Sequence, residues 1–286
     1  MNNPRVRAGD ITRAVRTLEL QNRPVCLHSS LRSFGFVEGG AETVIQSFLD
    51  EGCTVLVPTF TDKEVASPAD QSPPQNGYDY TRSTTHHTHS KTPYSPDSND
   101  VAGDMGAVPK ALVRLPGRVR GDHPLDSLSA VGPLAHKLVG GQTSLDPYAP
   151  FRRLAELGGY VVLLGVGLTR MTLLHGAEQR AGRNLFRRWV SDKNGETVSV
   201  LVGGCSEGFE ALAPVLAGLE HTHTVGASRW RVFPARETSE YAAAAIRAQP
   251  ELTACGDATC ERCADAVRGG PEVNATFEAR MRRSWR

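Results

Sequence analysis

The chain has 286 residues, is 40% hydrophobic and 22% charged, and carries a net charge of +1 from 32 basic and 31 acidic residues. This length can bury a sizeable core without disulfides or metals, and the balanced charge gives no footprint for nucleic acid. No uninterrupted apolar run of about 18 residues is present, so no membrane span is expected. The opening MNNPRVRAGDITRAV also lacks an apolar signal core. The six scattered cysteines fit a reducing cytoplasm better than an oxidised scaffold.

Strand-like and helix-like segments alternate, which predicts an α/β fold with a layered sheet and flanking helices. Pro24 to His28 reads as a short buried strand, followed by a turn-rich connection, SSLRSFGFVEGG. Ala41 to Asp50 places Val44, Ile45, Phe48 and Leu49 on one helical face, and Gly52 stops it. Cys53 to Val57 is a second buried strand, ended by Pro58. Residues 62 to about 103 are rich in Ser, Thr, Pro, Asp, Asn and His. A loop of that length is either disordered or functional, and it is the candidate lid or substrate flap of an otherwise single domain spanning 1–286.

Helices are expected over Met105–Leu115, Ser129–Val139, Phe151–Leu157 and Thr172–Arg180. Tyr160 to Val166 is the strongest central strand in the sequence. Phe186 to Val202 reads as a hairpin turning at Lys193-Asn194-Gly195. Glu207–Leu219 and Ser239–Ala248 read as helical, and the polar end of the chain is expected to fray.

Three segments at or just after predicted strand ends carry chemistry, where open α/β sheets place their ligands. In LHSSLRSFG, His28, Ser29 and Ser30 leave donors free for an anion and Arg32 adds charge. An ordinary Ser-rich cap is the competing reading. In GDHPLDSLSAVG, His123 precedes Pro124 and is held extended, as a loop histidine or a site residue. In LLGVGLTRMTLLHGAEQRAG, His175 and Glu178 stand three apart on a helix and share a face. A histidine beside a carboxylate can act as general base, although surface helices often carry such pairs.

Two metal-like signals remain. HHTH at residues 86–89 sits in the polar loop and reads as a solvated turn. Cys255-X4-Cys260-X2-Cys263 has zinc-like spacing in its second half, but Cys205, His221 or His223 would have to fold in as fourth ligand. No metal is therefore expected, with structural zinc at Cys255, Cys260 and Cys263 as the alternative.

Taken together, LHSSLRSFGFVEGGAETVIQSFL, LVPTFT, MGAVPKAL, the HP of GDHPLDS, SAVGPLAHKL, LLGVGLTRMTLLHGAE and GCSEGF resemble the aminoglycoside 3-N-acetyltransferase family. Their order and spacing run from about residue 24 to residue 265. The resemblance implies a fold distinct from the common small acetyltransferase superfamily. It implies acetyl-CoA as donor and the 3-amino group of an aminoglycoside as acceptor. It implies His175 as catalytic base, Glu207 as its acidic partner, and His28, Ser29, Ser30 and Ser127 along the coenzyme.

A polycationic sugar needs acids, for which Glu178, Asp122, Asp146 and Asp79 are candidates, with His123 beside them. The expected partners are thus coenzyme A and an aminoglycoside, with no nucleic acid or membrane, in a monomer or homodimer. The stretch Arg120-Gly121-Asp122-His123-Pro124 departs from the family's usual Arg-Ser-X-His-Pro, and the loop at 62–103 has no counterpart. A same-fold enzyme acting on another small amine and a non-catalytic zinc-binding protein are the competing readings.

Overall fold

Two parallel strands set the architecture through the alternation of their side chains. Val25 and Leu27, like Val162 and Leu164, pack into one hydrophobic core, while Cys26, Val161 and Leu163 pack into another. Successive side chains of a strand point to opposite faces, so both faces of the sheet are buried and both need a helical layer. The computed structural model describes residues 5–68, 72–80 and 92–271.

The elements begin with β1 (Arg5–Val6), α1 (Ala8–Thr17), β2 (Pro24–Ser29), β3 (Phe36–Val37), α2 (Gly40–Asp50), β4 (Thr54–Pro58) and β5 (Glu64–Val65). They continue with α3 (Ala107–Leu112), β6 (Val119–Arg120), β7 (Leu128–Val131), α4 (Ala135–Val139), α5 (Ala149–Glu156), β8 (Tyr160–Leu164) and α6 (Leu173–Arg180). The last are β9 (Phe186–Ser191), β10 (Thr197–Val202), α7 (Ala213–Leu216), β11 (His221–Val225), β12 (Ser228–Pro234), α8 (Ala235–Ala248) and α9 (Glu261–Val267).

The main sheet runs β11-β12-β8-β2-β4-β7-β6, and β2 is parallel to both β8 and β4. Residues of α1, α2 and α3 cover one face, and residues of α4, α5, α6 and α8 the other. The carboxyl ends of β8, β2 and β4 therefore open side by side. A smaller antiparallel sheet, β10-β9-β5, stands apart from the main one.

The α/β class, the first two strands, the strand at Tyr160 and the hairpin turning near Gly195 form as expected. The expected helix over Ser129–Val139 does not. Leu128–Val131 is a strand, and only Ala135–Val139 is helical. Gly132 separates them at φ +120°, and a Cβ there would come within 2.8 Å of the Cys53 carbonyl oxygen. The apolar run is short because β7 is buried on both faces, which periodicity alone cannot tell from a helix.

Glu207–Leu219 is not one helix but two 3-10 turns around the single turn of α7. Pro214 and Gly218 explain the interruptions. Helices α1 and α9 and the hairpin β11–β12 lie outside the elements expected from sequence. The outer strand β11 has mostly polar, exposed residues and carries no apolar alternation.

The long polar segment is tied down where it is described. Asn76 Oδ1 accepts from the Arg187 backbone N–H at 2.7 Å, and the Gly77 N–H donates to Asp265 Oδ2 at 2.8 Å. Its return stretch is held by Arg120, which is buried. Arg120 donates to the carbonyls of Ser98, Thr59 and Asp100 at 2.8, 2.7 and 2.7 Å. Its Nε donates to Ser127 Oγ at 3.1 Å, and its guanidinium lies 5.2 Å from the Tyr94 ring. The HHTH stretch at 86–89 lies outside the described residues.

Replacing Arg120 by Met removes the charged donor shared by the Ser98, Thr59 and Asp100 carbonyls. It should cost about 2–4 kcal/mol of stability and expose the 92–103 stretch to proteolysis. Urea unfolding and timed trypsin digestion measure both, and unchanged values for both would show that Arg120 does not hold the segment.

Candidate active site

The parallel strand ends open into a cleft of about 1180 Å³. That exceeds the usual pocket for one drug-sized ligand, so two substrates fit together. His28 to Arg32 enter it from the end of β2, Pro58 and Phe60 to Asp62 from β4, and Val166 and Thr169 to Thr172 from β8. The stretch Ala102–Ala107, the Gly203–Gly204 turn and Arg262 complete the walls.

His175 lies on α6 with its side chain 12% exposed. Its Nδ1 is 2.8 Å from Glu178 Oε2, the i,i+3 geometry of one helical face. Glu178 is itself buried, and its other oxygen accepts from Arg183 Nη1 and, at 3.3 Å, from Thr253 Oγ1. Arg183 also donates to Thr253 Oγ1 at 2.8 Å.

The charged pair thus removes both Glu178 oxygens from solvent and fixes the side towards which His175 presents Nδ1–H. Among the described residues no hydrogen-bond partner meets Nε2, which leaves that nitrogen to accept a proton. The ring is also held by packing, 6.0 Å from Tyr148 at 20° and 4.8 Å from Phe209 at 59°. Gly203 closes over it, and a Cβ there would meet His175 Cγ at 2.6 Å and Tyr148 Oη at 2.4 Å. Only glycine permits that approach.

Charge is divided across the mouth. Arg32 and Arg170 stand at the ends of the adjacent strands β2 and β8, exposed, with no ion-pair partner among the described residues. Asp62 and Glu64 follow β4, and Asp126 precedes its neighbour β7. Burial raises the Asp126 carboxyl above its ordinary range, against the opposing pull of His123 and His175. The β8/β2 side of the cleft therefore carries two cations unpaired among the described residues, and the β4/β7 side carries Asp62, Asp126 and Glu64, the last paired at 3.6 Å with Arg188 of the cleft wall.

The expected site residues divide accordingly. His28, Ser29, Ser30, Arg32, His175 and the neighbourhood of Glu178 converge on the cleft. Glu207 does not meet His175: it is exposed and lines no part of the cleft, although its neighbour Ser206 does. Glu178 takes that place, and its oxygens are too committed to bind a sugar directly.

Ser127 is buried, its hydroxyl donating to the Thr59 carbonyl at 2.7 Å and accepting from Arg120, so it is not a coenzyme contact. His123 is wholly buried. Its Nδ1 accepts from Asp126 N–H at 2.8 Å, and its Nε2 donates to the Leu201 carbonyl at 2.8 Å, which leaves nothing for a substrate. Asp146 pairs with Arg152, Asp122 is exposed away from the cleft, and Asp79 does not line it.

Sequence reasoning missed Asp126, Arg170, Tyr148 and Gly203. Asp126 stood in a segment already singled out, three residues after the histidine that attracted attention. Arg170 stood in the turn after the strongest strand.

Comparison with known proteins finds one family. A profile of the family described as Aminoglycoside 3-N-acetyltransferase matches residues 26–247. Aminoglycoside N(3)-acetyltransferase VII of Streptomyces paromomycinus is 30% identical over 249 residues, covering 77% of this chain and 84% of its own. Aminoglycoside N(3)-acetyltransferase III of Salmonella sp is 35% identical over 185 residues, 63% of each chain. Among solved structures, the apoenzyme of aminoglycoside acetyltransferase AAC(3)-IVa superposes with a TM-score of 0.73 at 25% identity, over 93% of this chain and 98% of its own. AAC(3)-Xa superposes at 0.68 with 28% identity, over 85% and 93%.

His28 generates a prediction about stability. Burial pushes its imidazole down from 6.5 to about 3, so it stays neutral in the fold, beside Cys26 Sγ at 3.6 Å. The unfolded chain binds a proton there below pH 6.5, so this stability is complete above 6.5 and is lost as pH falls towards 3. Buried His123 acts in the same direction. Between pH 6 and pH 4 the unfolding free energy of the wild type should fall more steeply than that of His28→Gln, by up to about 1.4 kcal/mol per pH unit. Parallel curves in urea titrations would contradict a buried neutral His28.

Proposed function

Because the chain belongs to the aminoglycoside 3-N-acetyltransferase family, we propose that it transfers the acetyl group of acetyl-CoA to the 3-amino group of an aminoglycoside, a modification that confers resistance. The observation that carries this reading is the His175–Glu178 pair, facing a cleft with cations on one side and carboxylates on the other.

An aminoglycoside amine is an ammonium in water and must lose a proton before it attacks a thioester. His175 Nε2 takes that proton, and Glu178 holds Nδ1–H and stabilises the imidazolium that results. The C–N bond forms and the C–S bond breaks; the second proton of the attacking nitrogen goes to the departing sulfur, and the proton held by His175 passes to solvent. The anionic coenzyme lies along Ser29, Ser30, Arg32 and Arg170, and the polycationic sugar meets Asp62 and Asp126. The ends of the 62–103 segment contribute to the cleft wall through Asp62, Glu64, Ala102 and Gly103. This supports the reading of that segment as a specificity element within one domain. Among the described residues no helix is long and apolar enough to cross a membrane. We assign the cytoplasm, where acetyl-CoA is made and thiols stay reduced.

Thiol release from acetyl-CoA with a panel of aminoglycosides tests the assignment. His175→Ala should bind coenzyme A normally and lose about 100-fold or more in turnover, and Glu178→Gln should lose turnover in the same direction. Near wild-type turnover in His175→Ala would remove it from the mechanism. Release with simple amines but no aminoglycoside would favour an enzyme acting on another small amine.

Asp126→Asn separates the two halves of the cleft. It should raise the aminoglycoside KM about 10-fold or more, the worth of a charge-assisted hydrogen bond, while moving the acetyl-CoA KM little. Because the Asp126 carboxyl is raised, wild-type acceptor binding should weaken with falling pH earlier than an ordinary carboxylate would dictate. A change confined to acetyl-CoA would overturn the division.

A further inference from the structure

Four cysteines that are scattered in sequence meet at one point. Cys205, in the turn after β10, joins Cys255, Cys260 and Cys263, and the four sulfur atoms all lie within 4.8 Å of one another. None of them is in a disulfide. The Cys255 backbone N–H donates to Cys263 Sγ at 3.3 Å, a bond that supports a sulfur bearing negative charge. We infer that these four cysteines form a structural zinc site that locks the C-terminal segment behind the His175–Glu178 pair.

Zinc with four thiolates is tetrahedral, with Zn–S of about 2.3 Å and therefore sulfur–sulfur edges of about 3.8 Å. Reaching that shape shortens the longest separation by about 1 Å, within the reach of side-chain rotation. Each thiol gives up its proton to solvent as its Zn–S bond forms, so four S–H bonds are exchanged for four Zn–S bonds without any redox step. A closed set of four sulfurs leaves no position for water or substrate, which makes the site structural.

The position gives the site its purpose. Cys205 lies two residues after Gly203, which covers the His175 ring, and Cys255 lies two residues after Thr253, which donates to Glu178. The segment after α8 has little apolar packing of its own beyond Cys263 and its neighbours. Its other ties are polar: the Gly77 N–H to Asp265 and the Asn184 N–H to the Gly269 carbonyl, each at 2.8 Å. A metal cross-link between the two turns would hold Gly203 and Thr253 on opposite sides of the pair at once. The positioning role rests on the proposed function, whereas the site itself does not.

The test therefore starts with metal, not activity. Protein purified without chelators should contain about one zinc per chain by elemental analysis. Cys255→Ser and Cys260→Ser should each lower that content about tenfold, and Cys53→Ala, in a cysteine outside the cluster, should leave it unchanged. Because a cysteine variant can fail to fold, the wild-type chain is also exchanged into cobalt. An intense thiolate-to-cobalt band with tetrahedral visible bands is expected. Chelation should lower Tm by roughly 5 °C or more, and added zinc should restore it. In hydrogen exchange, chelation should deprotect residues 203–207 and 251–263 together.

Metal-free protein with no cobalt spectrum would overturn the site, whether its sulfurs are then free or paired in disulfides. Zinc bound with unchanged exchange at 203–207 would overturn the locking role. Loss of the acetyl-transfer reading would change neither metal result.

Discussion

The hydrogen bond from His175 Nδ1–H to Glu178 is the contact on which the rest of the site depends. A buried carboxylate is costly unless it is paired and fully hydrogen-bonded. Here His175, Arg183 and Thr253 together satisfy Glu178. Arg183 caps the end of α6, its N–H donating to the Glu178 carbonyl at 3.1 Å, and Thr253 arrives from beyond α8. The carboxylate that holds the base is thus itself held by a residue seventy-five positions away in the chain. Removing one partner of such a buried group strands the others, which makes the arrangement all-or-none.

The sheet order converts this local pair into a binding site. Parallel strands β8, β2 and β4 bring three chain turns to one edge, and antiparallel β7 adds Asp126 beside them. Arginines follow β2 and β8, and acids follow β4 or precede β7, so neighbours in the sheet carry like charge and the sign changes between β2 and β4. An anionic coenzyme and a cationic sugar require that polarity, and a net charge of +1 for the whole chain conceals it. Gly203 and Gly165 allow close backbone approach at this edge. At Gly165, with φ +67°, a Cβ would come within 2.0 Å of Ser33 Oγ, in the turn that carries Arg32.

Local pattern made some of this legible. The i,i+3 spacing places His175 and Glu178 on one face, and the carboxyl ends of the strands over Pro24–Ser29 and Tyr160–Leu164 mark the cleft. What fails in the sequence reading is long-range. Glu207 resembles a partner by family position, yet its side chain is exposed and lines no part of the cleft. Ser127 and His123 have the right chemistry, but neighbouring backbone groups and Arg120 consume their hydrogen bonds. Cys205 joins the other cysteines only because β10 and the segment after α8 end side by side. Strand β7 reads as helix because burial on both faces erases its alternation.

The account stands or falls on where the acetyl group goes. Purified protein, acetyl-CoA and an aminoglycoside bearing a free 3-amino group can be incubated together, and the product examined by mass spectrometry and two-dimensional NMR. One acetyl group, amide-linked at the 3-amino position and formed in step with coenzyme A thiol release, is the predicted result. Acetylation at a different amine, or thiol release with no acetylated sugar, would contradict it.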